Sequence, residues 1–265
     1  MSKVTIIGSG NIGFSLAKGL VKSNLYRPAD ITLTRRTMAA LEEEKALGFG
    51  VSIDNRAAIS QAEVIVLAVL PQQIRKVMED IADVITDQIV VSVASGVSCR
   101  DIKDALGESV RVVRAMPNTA IAIGQSMTCI ATDNASDTDV RFVERMFKAV
   151  GEVVVIEEDL MTSATALCAC GIAFFLRSIR AASQGGVEIG FHAHDALKMA
   201  IQTAKGAAEL LSQTDSHPER EIDKVTSPKG CTIAGLNEME HHGLSSAFIK
   251  GIKLSALKAD GLYND

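Results

Sequence analysis

The sequence has no tryptophan, and its aromatic residues amount to only 4% of the chain. A platform of rings on which unpaired bases could stack is therefore not expected. Positive charge is not in excess: the formal net charge is −5, and no long basic run occurs. Binding to nucleic acid or to an anionic membrane surface is disfavoured on that ground. Cysteines number five, at irregular spacing. That excludes a disulfide framework and points to a reducing, cytoplasmic setting. Neither a C-x-x-C nor an H-x-x-x-H pair is present, so no metal site is expected. Cys168 and Cys170, two apart on a predicted helix, do not share a face and read as small buried hydrophobes. Long apolar runs are missing as well. The most apolar stretch, "ATALCACGIAFFL" at 164–176, has 13 residues, short of the roughly 18 that a membrane span needs. Arg177 and Arg180 follow it, and a buried helix is predicted. A strand-like run begins at Lys3, which leaves no room for a signal or transit peptide. There is no Pro- or Ser-rich linker, internal repeat or low-complexity segment.

What is present is a chain of 265 residues, 47% of them hydrophobic, enough for one large domain or two ordinary ones. Its first half alternates in period. β-Branched runs at 3–8, 31–34, 62–69 and 88–95 are continuous and apolar, as parallel strands buried on both faces require. Helical patterns at 11–22, 37–47, 72–83 and 98–106 lie between them. Further strands are predicted at 110–116, 126–132 and 152–157, with a helix at 136–149. After about residue 158 only helical patterns remain, at 160–184, 195–213, 232–242 and 244–258. The sequence thus predicts an α/β Rossmann-type doubly wound domain over 1–158, followed by an all-α domain over 159–265. Asp195 reads as the N-cap of the helix that follows it. His192, His194, His241 and His242 read as structural.

The segment "GSGNIG" places Gly8, Gly10 and Gly13 in G-x-G-x-x-G spacing between a predicted strand and a predicted helix. That context is what a dinucleotide-binding turn needs. Gly8 permits the tight turn, Gly10 lets a pyrophosphate approach the backbone, and Gly13 lets the helix pack against the strand. The helix start supplies unpaired N–H groups and partial positive charge. At the end of the second strand an NAD site would place Asp or Glu. Here Thr34, Arg35 and Arg36 stand instead. A hydroxyl and two guanidinium groups suit the 2′-phosphate of NADP. Two further loops, "AVLPQQ" at 68–73 and "RAMPNTA" at 114–120, fall at predicted C-terminal strand ends, where such sheets bind ligands.

The segment "VTSPKGCTIAGLNEME" at 225–240 sets a turn, Ser227, Pro228 and Gly230, before an apolar helical stripe. Backbone N–H groups at Gly230, Cys231 and Thr232 would then face outward from a helix start, a site for a carboxylate. Thr232 adds a hydroxyl, and Gly230 allows close approach. Taken alone, the turn reads better as a helix cap satisfied by Ser227.

In the order "GSGNIG", "AVLPQ", "VASGV", "RAMPNT" and "HPERE…VTSPKGCTIAGL", the chain resembles the pyrroline-5-carboxylate reductases along essentially its whole length. The last element is the most specific. The resemblance implies NADPH-dependent reduction of 1-pyrroline-5-carboxylate to L-proline, with NADH a weaker substitute. It also implies a cytoplasmic homo-oligomer paired through its C-terminal helices. The implied cofactor contacts are Ile7, Gly8, Ser9, Gly10, Asn11, Ile12 and Gly13 in the first turn. Thr34, Arg35, Arg36 and Asn55 follow near the second strand, then Ala68, Val69, Leu70, Pro71 and Ala94, with Asn118 near the nicotinamide. Ser227, Gly230, Cys231, Thr232 and Asp215 are the implied substrate contacts, with Thr232 orienting the reacting ring. The sequence departs from the family where Lys229 replaces Gly, Ala120 replaces Pro, and Leu70 replaces Lys. "CACGIA" at 168–173 likewise stands in place of a Ser-Gly-Ser-Gly-Pro-Ala run. Two other readings use the same features. One is another NADP-dependent imine or hydroxyacid reductase, although the G-x-x-x-K-x-x-N helix of β-hydroxyacid dehydrogenases is absent from 160–184. The other is a non-catalytic NADP-sensing regulator, which would not need the carboxylate turn.

Overall fold

The computed structural model describes residues 3–259. Its eight described strands are β1 (Val4–Ile7), β2 (Ile31–Thr34), β3 (Gly50–Ser52), β4 (Val64–Leu67), β5 (Ile89–Ser92), β6 (Arg111–Met116), β7 (Ser126–Ala131) and β8 (Gly151–Val155). The helices are α1 (Asn11–Lys22), α2 (Glu42–Ala46), α3 (Asn55–Ile59), α4 (Pro71–Ile81), α5 (Cys99–Leu106), α6 (Asp137–Lys148), α7 (Met161–Ala164), α8 (Gly171–Glu188), α9 (Ala193–Thr214), α10 (Pro218–Val225), α11 (Cys231–His241) and α12 (Leu244–Ala259).

The strands form one sheet in the order β3-β2-β1-β4-β5-β6-β7-β8. All neighbours run parallel except the antiparallel pair β6–β7. Every residue of β1, β4 and β5 is buried, because helices cover both faces. Ile6, Val66 and Val91 pack with Leu16 and Leu20 of α1 and Phe147 of α6 on one side. Ile7, Ile65 and Val90 pack with Ile74 and Met78 of α4 and Ile102 of α5 on the other. The strands therefore read as unbroken apolar runs, since neither face meets water. Reciprocal caps start two of these helices: Ser98 with Asp101 for α5, and Ser136 with Asp139 for α6. Each hydroxyl accepts a third-residue N–H while the carboxylate reaches back to the cap.

Each strand predicted from sequence is present; β2 has the predicted ends, β8 begins one residue earlier, at Gly151, and the ends of the others are trimmed. Four local differences have physical causes. The helix expected at 37–47 is a 3₁₀ turn, Met38–Leu41, followed by the short α2. β3 and α3 lack a sequence signal because they have three and five residues, too few for a period to register; α10, "PEREIDKV", lacks one because only Ile222 and Val225 give it an apolar stripe. The N-cap of α9 is His192, not Asp195, which sits in the first turn, where a carboxylate also favours the helix start. The helix expected at 160–184 begins as α7, passes through a π-helical turn, Thr165–Cys170, and ends at Glu188.

The chain divides into two compact units: residues through Cys170 with those from Leu254 onward, and Gly171–Lys253. In the second unit α8 packs along α9. A Cβ at Gly186 would lie 2.9 Å from Ala196 Cβ, so small residues allow the two helices to approach closely. Among the described residues one helical stretch, 158–188, is apolar and long enough by composition to cross a membrane, with a mean hydropathy of 1.6 over its best window. It is longer than the 13-residue run noted in the sequence.

Candidate cofactor edge and carboxylate turn

The C-terminal ends of β1, β2, β4, β5 and β6 line one edge of the sheet, since the strands are parallel and in register. The order of strands reverses between β1 and β4, the crevice where ligands of doubly wound sheets sit. The glycine turn lies there. Gly8 has φ +101°, and a Cβ on it would lie 2.6 Å from the Ala68 carbonyl oxygen. A Cβ on Gly13 would lie 2.3 Å from the Gly8 carbonyl oxygen. Around Gly10 the reverse holds: a Cβ would meet nothing within 4 Å. Two glycines are thus required by the protein's own packing, while the third leaves open space over the N-terminus of α1. No side chain caps that terminus, and no acidic residue lies in the first turn. The first-turn N–H groups of Asn11, Ile12 and Gly13 have no intrahelical acceptor. These are the features a dinucleotide pyrophosphate needs, so the residues present fit the group.

Thr34 is buried, and its hydroxyl donates to Asn55 Oδ1 at 2.8 Å; Asn55 Nδ2 donates to Asp80 at 3.2 Å. The N–H groups of Gly8 and Ser9 both donate to the Thr34 carbonyl, at 3.2 and 3.0 Å, which ties the turn to the end of β2. The Arg35 guanidinium is turned inward. It donates from Nε to the Ser9 carbonyl at 2.5 Å and also from Nη2. Glu44 lies 3.9 Å from it and accepts a 2.6 Å bond from the Ser9 hydroxyl. Glu44, on α2, is 3% exposed. Nothing in "LEEEKA" distinguishes this carboxylate from its solvated neighbours, so the sequence does not reveal it. Arg36 is exposed, without a hydrogen bond or ion pair among the described residues. Of the pair expected to read a 2′-phosphate, Arg36 is available and Arg35 braces the glycine turn.

Ala68 donates its N–H to Ile7 at 2.8 Å, and Val69 lies beside Gly8. Leu70, 63% exposed, is the N-cap of α4, with Pro71 at its first position. Ala94 is buried after β5, its N–H on the Ser92 hydroxyl at 3.3 Å. Asn118 is held from three directions. Its N–H donates to Ser126 Oγ at 3.0 Å, its Oδ1 accepts from Ala120 N–H at 3.0 Å, and its Nδ2 donates to the Cys168 carbonyl at 3.2 Å.

The carboxylate turn lies in the second unit. The Gly230 N–H donates to the Ser227 carbonyl at 2.9 Å, closing a four-residue turn with Pro228 second and Lys229 third. Lys229 has φ +59°, as a turn with a left-handed third residue requires; Gly is the usual occupant. Gly230 is the N-cap of α11. Its own N–H is therefore occupied, contrary to the expectation from sequence. The N–H groups that remain without an intrahelical acceptor are those of Cys231, Thr232 and Ile233. A Cβ on Gly230 would lie 2.6 Å from Ser227 Oγ, so Gly230 serves the turn itself. Thr232 is half-buried and Cys231 exposed. Asp215 caps the end of α9 with φ 48° and is exposed. No hydrogen bond or ion pair joins it to the 227–232 segment among the described residues. No group of His, Cys, Asp and Glu suited to a metal ion occurs among them either.

A doubly wound sheet with an open, uncapped glycine turn at its switch point places the first unit in the class of dinucleotide-binding folds. Two family models match the chain: NADP oxidoreductase coenzyme F420-dependent over residues 3–96, and pyrroline-5-carboxylate reductase dimerisation over residues 158–262. Pyrroline-5-carboxylate reductase 2 of Dictyostelium discoideum is 46% identical, over 97% of this chain and 91% of that protein. Pyrroline-5-carboxylate reductase 1 of the same organism is 48% identical over 98% of this chain, which spans only 50% of that relative's length. A solved pyrroline-5-carboxylate reductase from Coxiella burnetii superposes with a TM-score of 0.91 at 32% identity, over 98% of each chain. A Plasmodium falciparum pyrroline carboxylate reductase, solved with NADP bound, gives a TM-score of 0.89 at 22% identity, over 99% of this chain and 98% of that one. The chain belongs to the pyrroline-5-carboxylate reductase family.

Proposed function

We propose that the chain reduces 1-pyrroline-5-carboxylate to L-proline with NADPH, NADH serving more weakly. The observation that carries this reading is the match along nearly the whole chain to relatives named for that reaction. Residues 1–158 form the cofactor domain and 159–265 the substrate and pairing domain. When bound, NADPH supplies the hydride that the imine carbon of the substrate accepts. The open backbone at Gly10 and the start of α1 hold the pyrophosphate. Arg36 holds the 2′-phosphate, which an acidic residue at that place would repel. Arg35, Ser9 and Glu44 keep the turn rigid beneath it. Asn118, fixed by three hydrogen bonds, orients the nicotinamide side of the site.

The N–H groups of Cys231, Thr232 and Ile233 hold the substrate carboxylate at the start of α11, with Ser227 shaping the turn. The Thr232 hydroxyl orients the ring, and Asp215 accepts from the ring nitrogen. No lysine or histidine is needed as a strong acid, because a cyclic imine takes a proton near neutral pH by its own basicity. Positioning then carries the rate. The chain works as a homo-oligomer joined through its C-terminal helices, in the cytoplasm, without nucleic acid or membrane.

The test mixes the protein, NADPH and pyrroline-5-carboxylate and follows loss of the reduced nicotinamide absorbance. Steady turnover with proline as product is expected. Turnover with a hydroxy or keto acid but none with this imine overturns the reading. Arg36→Ala is expected to raise KM for NADPH far more than for NADH. Equal effects on both would remove Arg36 from the phosphate site.

A further inference from the structure

Two cysteines meet where the sheet joins the helical segment that follows it. Cys129 lies on β7 and Cys168 in the π-helical turn, and their sulfur atoms are 3.9 Å apart. Cys129 is buried and Cys168 half-buried. The other three described cysteines, Cys99, Cys170 and Cys231, have no thiol partner. A disulfide needs a sulfur–sulfur distance of about 2.0 Å, so this pair requires an approach of about 1.9 Å. One side is a strand fixed by neighbours on both flanks. The other is a π turn, Thr165–Cys170, a rare helical conformation that occurs mostly at functional sites.

The pair is not symmetrical. The hydrogen bond between the two sulfur atoms lowers the Cys168 thiol, against the opposing effect of burial. The same bond, together with burial, pushes the Cys129 thiol upward. Exposure separates them: Cys168, the half-exposed member, is the accessible nucleophile, and the buried Cys129 is the thiol behind it.

We propose that Cys129 and Cys168 form an oxidation site, a dithiol that hydroperoxides convert to an intrachain disulfide. The Cys168 thiolate attacks one peroxide oxygen, the O–O bond breaks, and hydroxide leaves to become water on protonation. Cys168 is then a sulfenic acid. The Cys129 sulfur attacks the Cys168 sulfur, the S–O bond breaks, and a second water departs with the Cys129 proton. Two thiols lose two electrons, and hydrogen peroxide is reduced to two waters. A small dithiol reverses the step by exchange.

Closure does not stay local. The Cys168 carbonyl accepts from Asn118 Nδ2, and the Asn118 N–H is held by Ser126 at the start of β7. Drawing Cys168 onto β7 shifts the carbonyl on which the Asn118 side chain rests. This consequence for cofactor binding rests on the assignment of Asn118 above; the sulfur chemistry does not.

The experiment treats the reduced full chain with a few equivalents of hydrogen peroxide, blocks remaining thiols and maps peptides by mass spectrometry. A Cys129–Cys168 cross-linked peptide is expected. It is removed by dithiothreitol and absent from Cys129→Ser and Cys168→Ser. Five blocked thiols as before treatment, or Cys168 carried on to sulfinic acid without a cross-link, overturns the proposal. NADPH affinity, read by fluorescence before and after peroxide, is expected to weaken several-fold in the unmodified chain and to hold in Cys129→Ser. A cross-link with unchanged affinity leaves the oxidation site standing and overturns its coupling to Asn118.

Discussion

The two units bury their apolar residues to very different degrees. In the first, Phe147 and large aliphatic side chains such as Leu16, Leu20, Ile65 and Ile74, across the sheet and its covering helices, are fully buried. In the second, α9 runs for 22 residues with only Ala196 buried, and α10 and α11 bury none. Phe175 is 62% exposed and Ile189 77%. A sheet with helices on both faces completes its core within one chain. In the second unit only α8 and α9 pack extensively among the described residues, and large apolar side chains left exposed on that scale mark an association surface. The difference teaches where each half takes its stability from: its own sheet in one case and, in the proposed homo-oligomer, a second copy in the other.

Five changes test that contrast, from the largest expected effects on stability and assembly to the smallest. Phe147→Ala empties a filled position and is expected to cost about 3–5 kcal/mol of stability, read from denaturant unfolding. A cost below 1 kcal/mol would mean that the first unit also depends on outside contacts. Phe175→Glu is expected to leave the helical circular dichroism of the chain intact and to weaken self-association about a hundredfold, from the roughly 1.5–3 kcal/mol a buried Phe contributes. Sedimentation at micromolar concentration reads it, and an unmodified chain that is already monomeric there removes the contrast.

Thr232→Ala takes one donor from a charged ligand, worth about 1.5–3 kcal/mol. The expected fall in kcat/KM is roughly ten- to a hundredfold, with NADPH affinity unchanged because the cofactor edge belongs to the other unit. Gly230→Val is expected to do more damage, since its Cβ would strike Ser227. Full activity in both folded variants would make the turn a simple helix cap. Lys229→Gly relieves a left-handed residue and is expected to raise stability by about 1 kcal/mol. A loss of stability would show that the lysine side chain makes a contact that outweighs the strain.

The central strands were legible because they are buried on both faces and so read as unbroken apolar runs between turns. The glycine turn was legible for a related reason: each glycine is fixed by contact with backbone or by the absence of any contact. What escaped the sequence depends on which way one side chain turns. Glu44 looks like Glu42 and Glu43 until α2 rolls it under Ser9. Arg35 and Arg36 are the same residue type, and only the fold separates the brace from the reader. Lys229 carries no sign of its left-handed backbone except the family's glycine at that position. The free N–H groups were misplaced by one residue because the turn before α11 closes on Gly230 itself. The thiol pair was invisible because its members lie 39 residues apart in sequence and meet only through a π turn that no spacing announces.

The single antiparallel step between β6 and β7 has a routing consequence. β8 enters the sheet beside Ser126, next to Asn118, and heads away from the cofactor edge, leaving at Val155. The helical turns that follow run back the way the strand came, bringing Cys168 level with Cys129 and its carbonyl to Asn118. Had β8 run with β6, the chain would have left at the cofactor edge, and its next helix would have travelled away from it. One reversal of direction converts an exit into a return journey. The segment that connects the two halves thereby becomes a wall of the first one's working edge.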